Sequence, residues 1–322
     1  MTKVIQVAVA ILQKQNGEFL LASRPKNKGW AGWWEFPGGK IELNETPEQA
    51  LSRELQEELA VTPKYIQPWI KRRYDYPQTH DAEAKTVLLH FYFVLEWDGE
   101  PTALEGQTLS WQTPDQIRVS PILPANAPIM HALSLPNIYA ISNIAEMGEV
   151  AFMRALKTQL DLGLKLVQIR EKQLSNADLT ILARQIIKRC KPYQARVLIN
   201  DHPEIASEVG ADGVHFSSHT LMQLKQKPDH LLVAASCHNA QELQHAELLN
   251  LDFVVLSPVL HTQSHPDAKP MGWEIFEHLV AEKSLPIYAL GGLHTKDINQ
   301  ALQCGARGIA MQRAIWQPNW DL

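Results

Sequence analysis

Residues 38–61 read GGKIELNETPEQALSRELQEELAV, and the middle of this stretch carries the start signals of a helix. Thr46 is a good N-cap residue, because its hydroxyl can accept a hydrogen bond from a backbone N–H of the first turn. Pro47 suits the first helical position, and Gln49 completes a capping box with Thr46. The sequence therefore predicts a helix over Pro47–Leu59.

Three glutamates of this helix share one face. Glu54, Glu57 and Glu58 are related by spacings of three and four, so their carboxylates project from the same side. Like charges at these spacings destabilise an isolated helix, whereas a bound Mg²⁺ or Mn²⁺ reverses that effect because hard divalent cations prefer carboxylate oxygens. Gly39 offers a backbone carbonyl as a further ligand, and Arg53 is placed to orient a carboxylate through a bidentate contact. The pattern indicates a metal site, and a solvated acidic helix face is the alternative interpretation.

The spacing of these residues resembles the Nudix box. Gly39 is followed after five residues by Glu45, and after seven more by the run RELQEE at 53–58. Ala60 departs from the family pattern, which usually has glycine there, and this costs stability if the helix end needs a left-handed residue. The resemblance implies a pyrophosphohydrolase whose catalytic group is the three glutamates with the neighbouring arginine. We select Glu54 as the general base that takes a proton from the attacking water.

Further runs resemble the MutT branch of this family, which hydrolyses oxidised guanine nucleotides. They are FPGGKIE (36–42), TPEQA (46–50), LEGQ (104–107) and PAN (124–126). The resemblance covers about residues 1–133 and implies one additional metal ligand, Glu105. It also implies a set of substrate-binding residues: Arg24, Phe36, Lys40 and Asn126.

The side chains implied to read the purine have suitable chemistry. The Asn126 amide donates and accepts, which matches the O6 and N7 edge of a guanine whose N7 has become a donor on oxidation. Arg24 offers donors in a fixed geometry for a carbonyl oxygen. Taken singly, Asn126 is more often a turn residue between prolines and Phe36 a core aromatic, so these alternatives stay open.

Composition suggests a folded protein with two domains. The chain has 322 residues, of which 45% are hydrophobic and 20% charged. Its formal net charge of -5 does not indicate sequence-independent binding of nucleic acid. The three cysteines are far apart and odd in number, so neither a disulfide framework nor a metal-site spacing is expected. We expect a cytoplasmic protein without a signal peptide, a membrane span or direct nucleic-acid binding, and leave its oligomeric state open.

The chain has two regions with different patterns of predicted secondary structure. Residues 1–133 carry strand-like runs and few helices, which predicts an α+β fold, and the Nudix resemblance adds a mixed sheet between helices. After a linker at 134–136, strands and helices alternate strictly over 137–322, which predicts an α/β barrel of the (β/α)8 TIM type. The strands are predicted at 4–12, 19–23 and 85–97, and in the barrel at 138–141, 166–170, 197–200, 213–216, 232–236, 253–258, 287–290 and 308–312.

The alternating half resembles thiamine-phosphate synthase and its relative TenI, the thiazole tautomerase. The matching runs are QIREK (168–172), LIND (198–201), GADGVH (210–215), Ser257-Pro258 and Gly291-Gly292. They lie at or just beyond the ends of predicted strands, where (β/α)8 active sites are built. The resemblance implies a phosphorylated thiamine-related ligand, with these candidate residues: Arg170, Lys172, Asn200, Asp201, His238 and Arg313.

Several positions depart from the synthase pattern. Thr220 stands where the family has a Mg²⁺-binding aspartate, and His265 stands where it has a lysine that contacts pyrophosphate. Ser218 replaces a glutamine, and Arg313 replaces a small phosphate-binding serine. Because Asp201 by itself is a weak Mg²⁺ site, these changes argue against synthase activity.

One histidine keeps a different activity open for the barrel. His238 aligns with the histidine that TenI uses for proton transfer, and imidazole suits this role because it titrates near neutrality. A capping residue before the fifth helix is the alternative interpretation. Arg170, Lys172 and Arg313 would form a phosphate pocket in either case.

We expect the N-terminal half to act on a nucleoside triphosphate. The predicted reaction is metal-dependent hydrolysis of 8-oxo-dGTP, or a related oxidised purine nucleotide, to the monophosphate and pyrophosphate. This would be nucleotide-pool sanitation in the service of DNA replication and repair. Three alternatives stay open: a barrel active as thiazole tautomerase or thiamine-phosphate synthase, a Nudix site for thiamine-related pyrophosphates, and a barrel that binds a ligand and regulates its neighbour.

Overall fold

The computed structural model describes residues 4–78, 84–262 and 269–317 of the chain. The chain divides into two compact units, Met1–Ser134 with Ala281–Ser284 and Leu135–Val280 with Leu285–Leu322. Within the described ranges, no helix combines the length and the apolar character that crossing a membrane requires.

The first unit contains a mixed sheet. Its elements follow the chain as β1 (Val4–Leu12), β2 (Phe19–Ser23), β3 (Trp34–Glu35), β4 (Gly38–Lys40), α1 (Pro47–Leu59), β5 (Thr62–Tyr76), β6 (Lys85–Asp98), β7 (Leu109–Gln112) and α2 (Ala127–Leu133). One sheet has the strand order β4-β1-β6-β5, in which β1 and β6 are parallel and the other neighbours antiparallel, and a second has the order β3-β2-β7. The predicted α+β fold is confirmed.

Strand β1 shows how this sheet comes to lie between helices. Successive side chains of a strand point to opposite faces. Val9 and Ile11 belong to the buried cluster that includes residues of α2, whereas Ala8, Ala10 and Leu12 belong to the cluster that includes the leucines of α1. The alternation along β1 therefore supplies an apolar surface to a helix on each side.

Both ends of α1 are set by local chemistry. The predicted capping box is present, because Thr46 Oγ1 accepts from the Gln49 backbone at 3.2 Å and Gln49 Oε1 accepts from the Thr46 backbone at 2.8 Å. At the other end Ala60 has φ 56° and ψ 34°, which is the left-handed conformation that glycine adopts without strain. The helix thus begins with good capping and ends with a residue under strain.

We expect Ala60→Gly to stabilise the first unit by about 0.5–1 kcal/mol. A left-handed conformation costs an L-residue about 1–2 kcal/mol, and the greater freedom of glycine in the unfolded chain cancels part of the gain. Urea unfolding followed by tryptophan fluorescence would measure the change. Ala103→Gly is the control, since Ala103 is exposed and lies outside the left-handed region, and an equal gain there would contradict the explanation.

The second unit is a closed barrel of eight parallel strands, as predicted. Its elements are β8 (Ile138–Ile141), α3 (Ile144–Met147), α4 (Glu149–Asp161), β9 (Leu166–Ile169), α5 (Asn176–Cys190), β10 (Arg196–Asn200), α6 (Pro203–Val209), β11 (Gly213–Phe216), α7 (Ser218–Gln223), β12 (Leu232–Cys237), α8 (Ala240–Leu248), β13 (Phe253–Leu256), α9 (Gly272–Val280), β14 (Ile287–Leu290), α10 (Ile298–Gln303) and β15 (Gly308–Met311). Because all eight strands run the same way, their carboxyl ends meet at one rim, where side chains from different strands can form a site.

The barrel strands divide their side chains between two buried clusters. In β8, Tyr139 and Ile141 belong to the cluster inside the barrel, whereas Ile138 and Ala140 belong to the cluster that includes residues of the surrounding helices. Strands buried on both faces are expected to be almost wholly apolar, and the short barrel strands have that character.

Candidate functional site

A glycine of β4 lies directly against a glutamate of α1. A Cβ atom built on Gly39 would lie 2.0 Å from Cδ of Glu54, so this carboxylate fits there because residue 39 has no side chain. One turn further along the helix, Glu58 Oε2 accepts a hydrogen bond from the Gly38 backbone at 3.4 Å. The Glu54 and Glu58 side chains are only 17% and 15% exposed. The structure thus brings these two glutamates together beside the Gly38-Gly39 backbone.

The third glutamate is more exposed and shares a hydrogen-bond donor with Glu54. The Glu57 side chain is 59% exposed and accepts a hydrogen bond from Arg53 Nη1 at 3.2 Å. The same nitrogen donates to Glu54 Oε1 at 2.8 Å, so the Glu57 carboxylate lies beside that of Glu54 on the solvent side.

Arg53 makes its bidentate contact with Glu45, which is not a partner that our sequence analysis assigned to it. Nε and Nη2 donate to the two Glu45 oxygens at 2.9 and 3.0 Å, and Nη1 donates to Glu54 Oε1 at 2.8 Å. The Arg53 hydrogen bond lowers the pKa of Glu45, and the hydrogen bonds to Glu45 and Glu54 raise the pKa of Arg53. Arg53 therefore joins the box glutamate at 45 to the buried glutamate at 54.

Glu105 reaches this site through a loop that is attached to the end of α1. The last carbonyls of a helix have no partner within the helix. The Glu58 carbonyl accepts from Gln107 Nε2 at 2.8 Å and from the Leu104 backbone at 3.1 Å, and Gln107 Oε1 accepts from the Glu105 backbone at 2.8 Å. Gln107, a residue that our sequence analysis did not select, therefore positions Glu105 next to Glu58.

A lysine lies among these carboxylates. Lys28 Nζ is 2.6 Å from Glu105 Oε2 and 3.6 Å from Glu58 Oε1. Burial raises the pKa of Glu58 to about 7, an effect that Lys28 opposes and the charge of Glu105 reinforces. Lys28 could not be predicted from the sequence, because only the folding of its loop brings it near residues 30 and 77 positions away.

The donor set fits a hard divalent cation. Carboxylates of Glu54, Glu58 and Glu105 and the carbonyl of Gly39 are all oxygen ligands, which Mg²⁺ and Mn²⁺ prefer. In the part of the chain that the structure describes, no three acidic, histidine or cysteine side chains are already arranged to hold an ion. Metal binding must therefore draw these flexible glutamate side chains closer together.

Strand β3 supports two of the residues implied to read the base. Arg24 Nη1 donates to both oxygens of Glu35, at 2.6 and 2.7 Å, and Arg24 Nε donates to the Gly29 carbonyl at 2.6 Å. Burial raises the pKa of Glu35, and Arg24 opposes that rise. The same strand holds the segment before α2, because the Trp34 carbonyl accepts from the Leu123 backbone at 2.9 Å.

Asn126 is a buried residue at the start of α2. It is only 4% exposed, and it occupies the N-cap position of α2 without making a capping hydrogen bond. The amide is therefore not used to cap the helix, which leaves it available to a ligand.

The other two residues implied to bind substrate have ordinary surroundings. Phe36 is 3% exposed and packs against Phe19 and Phe91, at ring distances of 5.6 and 6.1 Å, as a core aromatic does. Lys40 is exposed at the end of β4, and its carbonyl accepts from Arg53 at 3.1 Å.

The candidate residues of the second unit converge on the predicted rim. A cavity of about 930 Å³ opens there, and its lining includes five of the six candidates: Arg170, Lys172, Asn200, His238 and Arg313. Arg313 Nε also donates to Glu146 Oε2 at 2.9 Å, which ties the end of β15 to α3. The cavity is thus lined by several cationic side chains, which suits a phosphorylated ligand.

The barrel residues do not fit a Mg²⁺ site. The two Asp201 oxygens accept hydrogen bonds from the Ser217 backbone at 2.7 Å and from Asn200 Nδ2 at 3.0 Å. Thr220, where the synthase pattern has its aspartate, donates its backbone N–H to the Ser217 hydroxyl that caps α7. His265 lies outside the described residues. Asp201 is therefore engaged in shaping the rim, and no second carboxylate is next to it in the positions that the family uses.

His238 has a carboxylate partner. His238 Nδ1 lies 3.0 Å from Glu242 Oε2, four residues later on the following helix, and its side chain is 44% exposed. A carboxylate that holds the proton on Nδ1 leaves Nε2 as a base. The contact thus fixes the orientation of the imidazole at the rim of the cavity.

His215 is a buried polar residue that our sequence analysis did not select for the site. Its ring is 2% exposed, with Nε2 2.9 Å from Ser236 Oγ and Nδ1 3.1 Å from Tyr139 OH. Burial lowers the pKa of His215 to about 3; nearby Asp201 opposes this effect and Arg170 adds to it. The imidazole is therefore neutral in the folded barrel near pH 7.

We expect this histidine to weaken the barrel in mild acid. Between pH 7 and pH 5 the unfolded chain takes up a proton at His215 and the folded chain does not, so the free energy of unfolding falls by about 2 kcal/mol. Stability from this group is present above its ordinary pKa of 6.5 and is lost as the pH falls toward 3. Urea unfolding at both pH values should show a smaller loss for His215→Gln.

His219→Gln is the control for that measurement, because His219 is exposed on α7 and should leave the pH dependence of wild type unchanged. Equal pH dependence in wild type and His215→Gln would show that burial of this imidazole does not determine the acid sensitivity.

Comparisons with known proteins support both units. The family model described as NUDIX domain matches residues 2–133, and the one described as Thiamine monophosphate synthase matches residues 138–315, more than half of the chain. The chain is 39% identical over 131 residues to the 8-oxo-dGTP diphosphatase of Escherichia coli strain K12, covering 41% of this chain and 97% of that protein. It is 32% identical over 185 residues to the thiamine-phosphate synthase of Streptococcus suis strain 98HAH33, covering 55% of this chain and 81% of that one.

A second relative of the first unit is also described as an 8-oxo-dGTP diphosphatase. The 8-oxo-dGTP diphosphatase of Haemophilus influenzae Rd is 37% identical over 131 residues, covering 41% of this chain and 92% of that protein. Each family thus matches one unit, and the described glutamates lie in the part matched by the first. The chain therefore belongs to two families at once, with an N-terminal Nudix hydrolase domain fused to a domain of the thiamine monophosphate synthase and TenI family.

Proposed function

We propose that the Nudix domain, residues 1–133, hydrolyses 8-oxo-dGTP or a related oxidised purine nucleoside triphosphate to the monophosphate and pyrophosphate. The observation that carries this proposal is the Asn126 amide, which belongs to a residue only 4% exposed and is not used to cap α2. An amide that both donates and accepts is complementary to the edge of an oxidised guanine. The two relatives described as 8-oxo-dGTP diphosphatases support the same substrate.

The glutamates around Gly39 supply the hydrolytic chemistry. Nudix hydrolases generally use divalent metal ions, and we assign a Mg²⁺ site, in which Mn²⁺ can substitute, to Gly39, Glu54, Glu57, Glu58 and Glu105. Such an ion polarises phosphate oxygens and acidifies bound water. Glu54 takes the proton from the attacking water, because its carboxylate lies against the Gly39 backbone and is oriented by Arg53 Nη1 at 2.8 Å.

Arg53 and Lys40 act around this base. Arg53 holds Glu54 through Nη1 and is itself held by both oxygens of Glu45, so it is a positioning residue for the base. Lys40 is exposed at the same edge and would contact the phosphates of the nucleotide. Arg24 would donate to a carbonyl oxygen of the base from the position in which Glu35 holds it.

One hydrolysis panel tests the proposal. The purified full chain is given 8-oxo-dGTP, 8-oxo-GTP, dGTP, dATP and thiamine pyrophosphates, each with Mg²⁺ and with Mn²⁺, and pyrophosphate or phosphate release is measured. We expect the 8-oxo nucleotides to have the highest kcat/KM. Preference for a thiamine pyrophosphate would replace the purine substrate with the thiamine-related alternative.

For the barrel, residues 137–322 after the linker 134–136, we propose a thiazole tautomerase activity on a phosphorylated thiazole. The oriented His238–Glu242 pair at the rim of the cavity favours this activity, because one base can remove and return a proton. Thr220, which stands where the synthase pattern has a Mg²⁺-binding aspartate, argues against the Mg²⁺-dependent synthase reaction. NMR of the thiazole phosphate isomers should show interconversion by wild type and none by His238→Asn. Ligand binding with no turnover would instead favour a sensing module.

A further inference from the structure

Lys28 lies between two of the carboxylates proposed to bind metal. Its ammonium is 2.6 Å from Glu105 Oε2 and 3.6 Å from Glu58 Oε1. The Glu58 side chain is 15% exposed, whereas that of Lys28 is 40% exposed. The lysine therefore enters the carboxylate pair from the solvent side, the direction from which a metal and a polyphosphate must also arrive.

The backbone that carries Lys28 is held in place. Its N–H donates to the Pro25 carbonyl at 3.1 Å, and Arg24 closes the same loop through its backbone N–H to Trp33 at 2.8 Å. The Arg24 guanidinium also donates to the Gly29 carbonyl at 2.6 Å. The loop is thus fixed on both sides of Lys28, and the lysine stem is the part that can swing.

The charges define two states for this lysine. Two carboxylates close together repel each other, and an ammonium between them removes that repulsion. A divalent cation does the same with greater charge, and the two cations repel each other if both stay. An incoming triphosphate carries several negative charges, so the displaced Lys28 ammonium can form an ion pair with its phosphate oxygens.

We propose that Lys28 is the resident counter-cation of the Glu58–Glu105 pair, which a divalent metal displaces, and that the displaced ammonium then binds the polyphosphate of the substrate. This inference rests on the proposed function in assigning a metal and a polyphosphate to the site. It adds a residue that selects for polyphosphate and sets how tightly the nucleotide-free protein holds metal.

Metal binding without nucleotide tests the first half. MnCl₂ is titrated into the full chain, and unbound Mn²⁺ is followed by electron paramagnetic resonance. Removing a competing ammonium should lower the Mn²⁺ Kd of Lys28→Met by roughly three- to tenfold relative to wild type, since ion pairs of this kind have modest strength. Lys28→Arg, which keeps the charge, should stay near wild type. Lys26→Met, at an exposed position in the same loop, is the matched control.

Inorganic tripolyphosphate tests the second half. With saturating Mg²⁺, calorimetric titration should show weaker binding to Lys28→Met than to wild type and Lys26→Met, again by roughly three- to tenfold. The inference is overturned if Lys28→Met leaves Mn²⁺ affinity unchanged or weakens it, or if tripolyphosphate binds all variants equally. Neither titration contains a nucleotide base, so these failures are distinct from a failure of 8-oxo-dGTP hydrolysis in the panel.

Discussion

Replacing Glu54 by glutamine lowers kcat for 8-oxo-dGTP by about 10³-fold or more while the fold stays intact, if Glu54 is both ligand and base. Loss of a general base alone costs about 10²–10⁴-fold, and loss of a ligand charge adds to that. Glutamine has nearly the same shape, so it still fits against Gly39, where a Cβ would lie 2.0 Å from Cδ of residue 54. Pyrophosphate release at saturating Mg²⁺ measures the loss, and circular dichroism measures the fold.

Glu57→Gln extends this test to the most exposed of the three helix glutamates. Its side chain is 59% exposed, and we expect a rate loss of orders of magnitude because the substitution removes the charge of a proposed metal ligand. Glu100→Gln, at an exposed residue after β6, is the control that should keep full activity. Near-normal turnover in both Glu54→Gln and Glu57→Gln would end the assignment of this site.

Asn126→Ala should remove the preference for the oxidised base. A bidentate amide contact to a purine edge contributes about 1–3 kcal/mol of discrimination, so the ratio of kcat/KM for 8-oxo-dGTP over dGTP should fall roughly 10- to 100-fold. The amide makes no capping bond in α2, so the substitution breaks no contact that holds the helix. The thermal midpoint should therefore change little.

The comparison with dGTP separates base reading from general damage. A damaged active site would lower kcat/KM for both nucleotides together, whereas loss of base reading lowers it mainly for 8-oxo-dGTP. Asn16→Ala, at an exposed turn residue of the same domain, should leave the ratio unchanged. An unchanged ratio in Asn126→Ala would mean that other groups read the base.

Sequence patterns predicted the barrel strands and helix α1 well, but in the first unit they missed the short strands β3, β4 and β7 and the long strand β5. Helix Pro47–Leu59 and strands β1 and β2 have the predicted bounds, because caps and side-chain alternation are local signals. Strand β5 was missed, since Pro63 and Pro68 and several charged residues conceal it. It is an edge strand whose register shifts near both prolines, and edges tolerate proline because one side of the strand needs no ladder hydrogen bonds.

The sequence by itself determined the glutamate spacing on α1 and the eight alternating strands, because helix and strand periods depend on neighbouring residues. It could not show which glutamates turn inward, since that depends on β4 meeting α1 at Gly39. The tertiary structure alone placed Lys28 beside Glu105 and engaged Asp201 with Ser217, because such contacts join residues far apart in the chain. The helix determined which groups could carry the chemistry, and the packing around it decided how they are held.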